Sequence, residues 1–111
     1  MTTRLRQHGR TVRSYGPDHP IARAIAERQP FLAGSLSGTG DWSSSGRLSD
    51  ADLTWWRADR DQADYFVVSY STPIAWHVPA SSRGVERWVS IVSRFSHTTT
   101  RHQSYVRMAV T

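Results

Sequence analysis

The chain has neither cysteine nor lysine. The first absence excludes disulfide cross-links and cysteine-ligated zinc. The second excludes a phosphate loop built on glycine backbone and a lysine, and it places all 14 basic charges on arginine. Acidic residues are few, 9 in 111. No apolar run approaches the ~20 residues that span a bilayer. The basic stretch Met1 to Arg13 lacks the apolar centre of a signal peptide. A cytoplasmic protein of a bacterial cell, with no membrane partner, is the expectation.

The arginines are unevenly distributed. Residues 1–30 and 65–111 are strongly basic, whereas 31–64 carries six aspartates against three arginines. Exclusive use of arginine fits codon bias in a GC-rich genome. It also fits a surface that holds phosphates, because the guanidinium fork matches them bidentately. Polarised charge favours an anionic partner, either nucleic acid (DNA first) or an acidic host protein.

A length of 111 residues with 38% hydrophobic content and five tryptophans suits one small domain with an aromatic-rich core. Residues 1–17 alternate arginine with small polar residues and are expected to form a flexible basic arm. Residues 18–111 are expected to form a single α+β domain. In that domain Asp18 would cap a helix carrying Pro20, Ile21, Ala24 and Ile25 to about Arg28. Ser49-x-x-Asp52 resembles a capping box for a helix of about ten residues. Tyr65 to Tyr70 reads as a strand covered on both faces. Ser71-Thr72-Pro73 reads as a turn, Ile74 to Val78 as a second strand and Arg87 to Phe95 as a third. A stretch near 32–37 would add a fourth strand. The expected architecture is a three- to four-stranded antiparallel meander with two or three short helices.

The polar cluster from His97 to Gln103 is the leading site. Thr100 and Gln103 have capping-box spacing, so Thr98 and Thr99 would lie in a strand-to-helix turn. Free N–H groups there, beside Arg101, would hold a phosphate or carboxylate. The competing reading is plain helix capping by threonine. The anion-binding set is therefore Arg4, Arg6, Arg10, Arg13, Arg94, His97, Thr99, Thr100, Arg101, His102 and Gln103. Tyr65, Tyr70, Trp76 and Trp88 are candidates to stack unpaired bases, or else fill the core. Zinc held by His77, His97 and His102 is poorly supported, since the helical histidines are not four apart. No Gly-x-Ser-x-Gly elbow is present, and no catalytic residue or cofactor is assigned.

Val68-Ser69-Tyr70-Ser71-Thr72-Pro73-Ile74-Ala75-Trp76 and Phe95-Ser96-His97-Thr98-Thr99-Thr100-Arg101-His102-Gln103 resemble a group of small uncharacterised actinobacterial and actinophage proteins. These share a Tyr-Ser-Tyr-x-Thr-Pro-Ile-Ala-Trp hairpin and a later Phe/Tyr-Ser-x-Thr-Thr-x-x-His-Gln run. Leu36-Ser37-Gly38 and Gly46-Arg47-Leu48 are similar as well, so the resemblance covers about 31–104. Ser71 stands where relatives often carry glycine. The resemblance implies a phage or mobile-element setting and brings no activity with it. The paired His-x-Thr motifs of the 2H phosphoesterases are a weaker likeness, because theirs lie on distant strands. The leading expectation is a non-catalytic accessory protein that binds nucleic acid through arginine-rich surfaces. The runner-up is a modulator or inhibitor that docks on a host protein.

Overall fold

A computed structural model describes residues 3–5, 19–81, 84–91 and 97–110. Six strands form one mixed sheet in sequential order: β1 (Thr3–Arg4), β2 (Phe31–Ala33), β3 (Leu36–Thr39), β4 (Tyr65–Ser69), β5 (Thr72–Val78) and β6 (Arg87–Ser90). Among the described residues three helices accompany it: α1 (Pro20–Ala26), α2 (Asp50–Asp59) and α3 (His97–Val110). The α+β class is as expected; the sheet is larger than a three- to four-stranded meander. Neighbours from β2 to β6 are antiparallel, and β1 adds in parallel beside β2. Thr3–Arg4 thus forms a strand within the segment expected to be an arm, most of which lies outside the described residues.

Every residue of β4 and β5 is buried, which requires cover on both faces. Tyr65 and Phe66 adjoin in β4 and so point to opposite sides. Phe66 meets Trp56 of α2 at 5.5 Å between ring centroids. Tyr65 donates its hydroxyl to the Gln29 carbonyl, just past α1, at 2.7 Å, and burial pushes that phenol far above its ordinary range. Accordingly α2 covers one face, while α1 and α3, packed against each other, cover the other. On the α1/α3 face, a Cβ at Gly38 would run into the Tyr65 hydroxyl and the Phe31 ring, so glycine lets those two side chains fill the space.

The turns depart from the sequence reading. The stretch near 32–37 folds into the β2–β3 hairpin because Gly34 takes φ +62°. The β4–β5 turn is Tyr70-Ser71 rather than Ser71-Thr72-Pro73. Pro73 lies inside β5 opposite Val68, next to a register shift between Val67 and Val68, where a residue without an N–H costs the ladder least. β6 covers Arg87–Ser90, with one further backbone bond from Ile91 to the Ile74 carbonyl at 3.1 Å; the remainder of the strand expected to reach Phe95 lies outside the described residues.

The helix starts also differ in two of three cases. Ser49 caps α2 as its spacing predicts, accepting from the Asp52 amide at 3.3 Å. At α1 the cap is His19, whose Nδ1 accepts from the Ile21 amide at 3.1 Å; with Pro20 already the first helical residue, a cap at Asp18 would be one position too early. Helix α3 begins at His97, so Thr98 to Thr100 lie within its first turns and Thr100–Gln103 is not a capping box. That start sets the buried stripe of His102, Tyr105 and Val106 at helical spacing.

Candidate functional site at the Tyr70 turn

Segments distant in sequence converge where β4 hands over to β5. Ser69, the last residue of β4, and His102, in the second turn of α3, share a hydrogen bond of 2.6 Å between Oγ and Nδ1. Both side chains are buried, so the pair ties the hairpin to the helix from beneath. Burial, aided by the neighbouring Arg101 charge, lowers the His102 pKa to about 4. The imidazole is therefore neutral at pH 7 and offers an anion no charge.

Tyr70 follows Ser69 with φ +57°, the left-handed region that a residue with a Cβ rarely adopts. Its amide donates to the Ser35 carbonyl in the β2–β3 turn at 2.7 Å, which joins the two hairpin tips. Its side chain is 61% exposed, and its ring centroid lies 6.3 Å from that of His102. From the other side the Gly46-Arg47 loop closes in. The Arg47 amide donates to Thr72 Oγ1 at 2.9 Å, and Gly46, at φ +55°, lies so close to Ser71 and Thr72 that a Cβ would clash. The Leu-Ser-Gly, Gly-Arg-Leu, hairpin and His-Gln motifs thus come together around one turn.

Two exposed arginines come from these segments, and a third flanks them. Arg4 lies on β1 beside a depression shared with Leu5, Leu32 and Gly34 at the β2–β3 tip. Arg47 lies in the glycine loop, and Arg101 precedes His102 on α3. All three are exposed, and among the described residues none forms an ion pair. Of the expected anion-binding set, then, Arg4 and Arg101 reach this end, while His102 lies beneath it. Gln103 is half-buried and donates to the Ile91 carbonyl at 3.4 Å. His97, Thr99 and Thr100 belong to the first turns of α3, but their side chains lie outside the described residues, as do Arg6, Arg10, Arg13 and Arg94. Arg47 was missed; its only signal was the Gly-Arg-Leu similarity. Of the stacking candidates Tyr65 and Trp76 are core, Trp88 is half-buried, and only Tyr70 is well exposed.

A family model described as a family of unknown function (DUF8033) matches residues 10–107. The chain belongs to this family. The match extends beyond the 31–104 resemblance, taking in α1, most of α3 and part of the basic N-terminal segment. Neither curated proteins nor solved structures gave a match.

The far end of this DUF8033 sheet has the opposite character. Asp59, at the end of α2, is buried and accepts from Trp76 Nε1 at 3.0 Å and from the Arg87 guanidinium. His77 Nδ1 lies 2.7 Å from Asp64 Oδ1, and its Nε2 lies 3.6 Å from Glu86. Arg60 pairs with Asp61 at 3.8 Å. Among the described residues no group of three histidine, aspartate or glutamate side chains could hold a metal ion, and no helix is long and apolar enough to cross a membrane.

Proposed function

We propose that this DUF8033 chain binds nucleic acid, with the Tyr70 end of the sheet facing the phosphates. In the setting implied by its motifs, it acts as a non-catalytic accessory protein of a phage or mobile element in the cytoplasm of an actinobacterial host. The observation that carries this reading is the segregation of charge along the strands. Among the described residues Arg4, Arg47 and Arg101 are exposed without carboxylate partners at this end of the sheet, while at the far end Arg87 is held by the buried Asp59. A guanidinium spent on an internal ion pair has little left for phosphate; an unpaired one keeps its full fork. The acidic far end repels a polyanion, so the field also sets which end approaches. Arg6, Arg10, Arg13 and Arg94 would extend the contact.

Fluorescence anisotropy with labelled oligonucleotides at low salt tests this. Binding should weaken steeply with added salt. Replacing Arg4, Arg47 and Arg101 together by alanine should flatten the slope of log K against log salt by about 2–3. No binding to either duplex or single strand at low salt would sink the proposal.

A second reading, docking on a host protein, draws on a separate feature. Trp55 of α2 is 59% exposed and borders a groove of about 360 Å3 with Trp76, Arg87, Trp88 and Val89. It runs along β6, an edge strand of the sheet. Tryptophan and arginine are the residue types that dominate protein interfaces. A partner retained from host lysate after nuclease treatment, and lost on Trp55→Ala, would favour it; an acidic host protein lost instead on Arg101→Ala would point back to the Tyr70 end.

A further inference from the structure

We infer that the nucleic acid is single-stranded, with one unpaired base stacked on the ring of Tyr70 and the adjoining phosphates held by Arg47 and Arg101. This rests on the nucleic-acid reading above and narrows it to a substrate class.

The first support is the way the ring is presented. Tyr70 lies at the first position of a two-residue turn, between the paired residues Ser69 and Thr72. Turns of this kind favour glycine or asparagine where φ is positive, yet a tyrosine occupies the place at φ +57°. Its ring is not turned inward to fill the core; 61% of the residue is exposed. An unfavourable backbone state held by its surroundings, with a large aromatic displayed to solvent, is a pattern found at binding sites.

The second support is rigidity. The turn is fixed on three sides: the Tyr70 amide on the Ser35 carbonyl at 2.7 Å, Ser69 on His102 at 2.6 Å, and Thr72 on the Arg47 amide at 2.9 Å. A platform ordered in advance loses little entropy when a base settles on it. The third support is company. Arg47 and Arg101 are exposed on the loop and the helix that these bonds tie to the turn. Among the described residues the other well-exposed aromatic is Trp55, whose groove holds the Asp52 carboxylate and an Arg87 already paired with Asp59, which leaves less free positive charge for a phosphate.

One ring on a tight turn reaches a base face only where that face is open. In a duplex the faces are stacked on one another, so the same surface would meet phosphates alone. Single-stranded DNA and RNA share the open base face and differ at the 2′-hydroxyl, for which this reading requires no contact.

The test uses the full chain and labelled oligonucleotides of about 12 nucleotides, within the usual site size for such surfaces, as DNA, as RNA and as a blunt duplex of equal length. Either single strand should bind at least about tenfold more tightly than the duplex. Tyr70→Ala should weaken single-strand binding by about tenfold and leave duplex binding unchanged, while Tyr70→Phe should retain the wild-type preference. Abasic substitution along the strand should weaken the wild-type protein by a similar factor and Tyr70→Ala no further, because both remove the same stack. Melting curves for each variant establish that it is folded. Equal affinity for duplex and single strand, or full single-strand affinity in Tyr70→Ala, would overturn the inference and leave the broader proposal standing. Loss of all nucleic-acid binding in the wild-type protein would overturn both.

Discussion

The two ends of the β4–β5 ladder are built from the same residue types and use them in opposite ways. At the Asp59 end one arginine, one tryptophan and one histidine are spent on carboxylates: Arg87 and Trp76 on Asp59, His77 on Asp64; Arg57, in the last turn of α2, stays exposed outside these bonds. At the Tyr70 end the internal bonds are made by neutral groups, a serine hydroxyl on an imidazole and backbone amides on oxygens, so the guanidinium groups are left over. Charge satisfied inside the molecule contributes to stability; charge left unsatisfied at the surface is free to meet a partner. Stability and binding should therefore respond to different ends.

The largest expected effect lies at the Asp59 end. Asp59→Ala removes the acceptor of the buried Trp76 indole and the counter-charge of Arg87. Because Arg87 is itself 45% exposed, part of its charge is rehydrated, and a loss of about 2–4 kcal/mol is expected. A shift in the urea midpoint with unchanged slope measures it. Nucleic-acid affinity, measured where the variant is still folded, should stay at the wild-type value. If Asp59→Ala also abolishes binding, the two ends are coupled and the contrast fails.

The Asp59 end was more legible in the sequence than the Tyr70 end, for a physical reason. Alternating aromatic and β-branched residues from Tyr65 to Val78 announce buried strands, and Ser49-x-x-Asp52 announces the start of α2; both signals act over a few neighbours. The Tyr70 end depends on partners far apart in the chain. Nothing local links Ser69 to His102, 33 residues on, nor the Tyr70 amide to Ser35. The start of α3 decides which of its residues face inward. Placing it at Thr100 left His102 in the first turn as an anion ligand, whereas starting at His97 puts it in the core stripe. The Thr72-Pro73 pair likewise suggests a turn, but the chain has already turned at Tyr70-Ser71, where a tyrosine in a glycine-like conformation gives no warning.

An effect of comparable size should come from acid. The folded-state pKa of His102 is about 4, below the unfolded value of 6.5. Between those values the unfolded chain binds the proton and the folded chain does not. The contribution of this group is full above pH 6.5, falls as pH drops towards 4, and changes no further below that. The total is roughly 3 kcal/mol. Denaturant titrations from pH 7 to pH 4 should show the decline, and His102→Asn should show less of it. A His102→Asn variant with the same pH dependence as wild type would mean that other groups carry the effect and that the Ser69–His102 pair is not the acid-sensitive clasp of the Tyr70 end.

The smallest effect bears most directly on the contrast, because it should move stability and binding in opposite directions. Holding a residue with a Cβ at φ +57° costs about 1–2 kcal/mol, and glycine removes that strain while adding ~0.5–1 kcal/mol of unfolded-state entropy. Tyr70→Gly should therefore raise stability by up to about 1 kcal/mol, seen as a melting temperature higher by a few degrees. The ring makes little core contact at 61% exposure, so its loss should offset little of this gain. The same change removes the proposed stacking surface and should cost single-strand affinity about tenfold. A protein that becomes more stable as it loses its ligand has kept a strained residue for what the residue does. If Tyr70→Gly instead lowers the melting temperature, the ring contributes to packing, and its exposed position needs no partner to explain it.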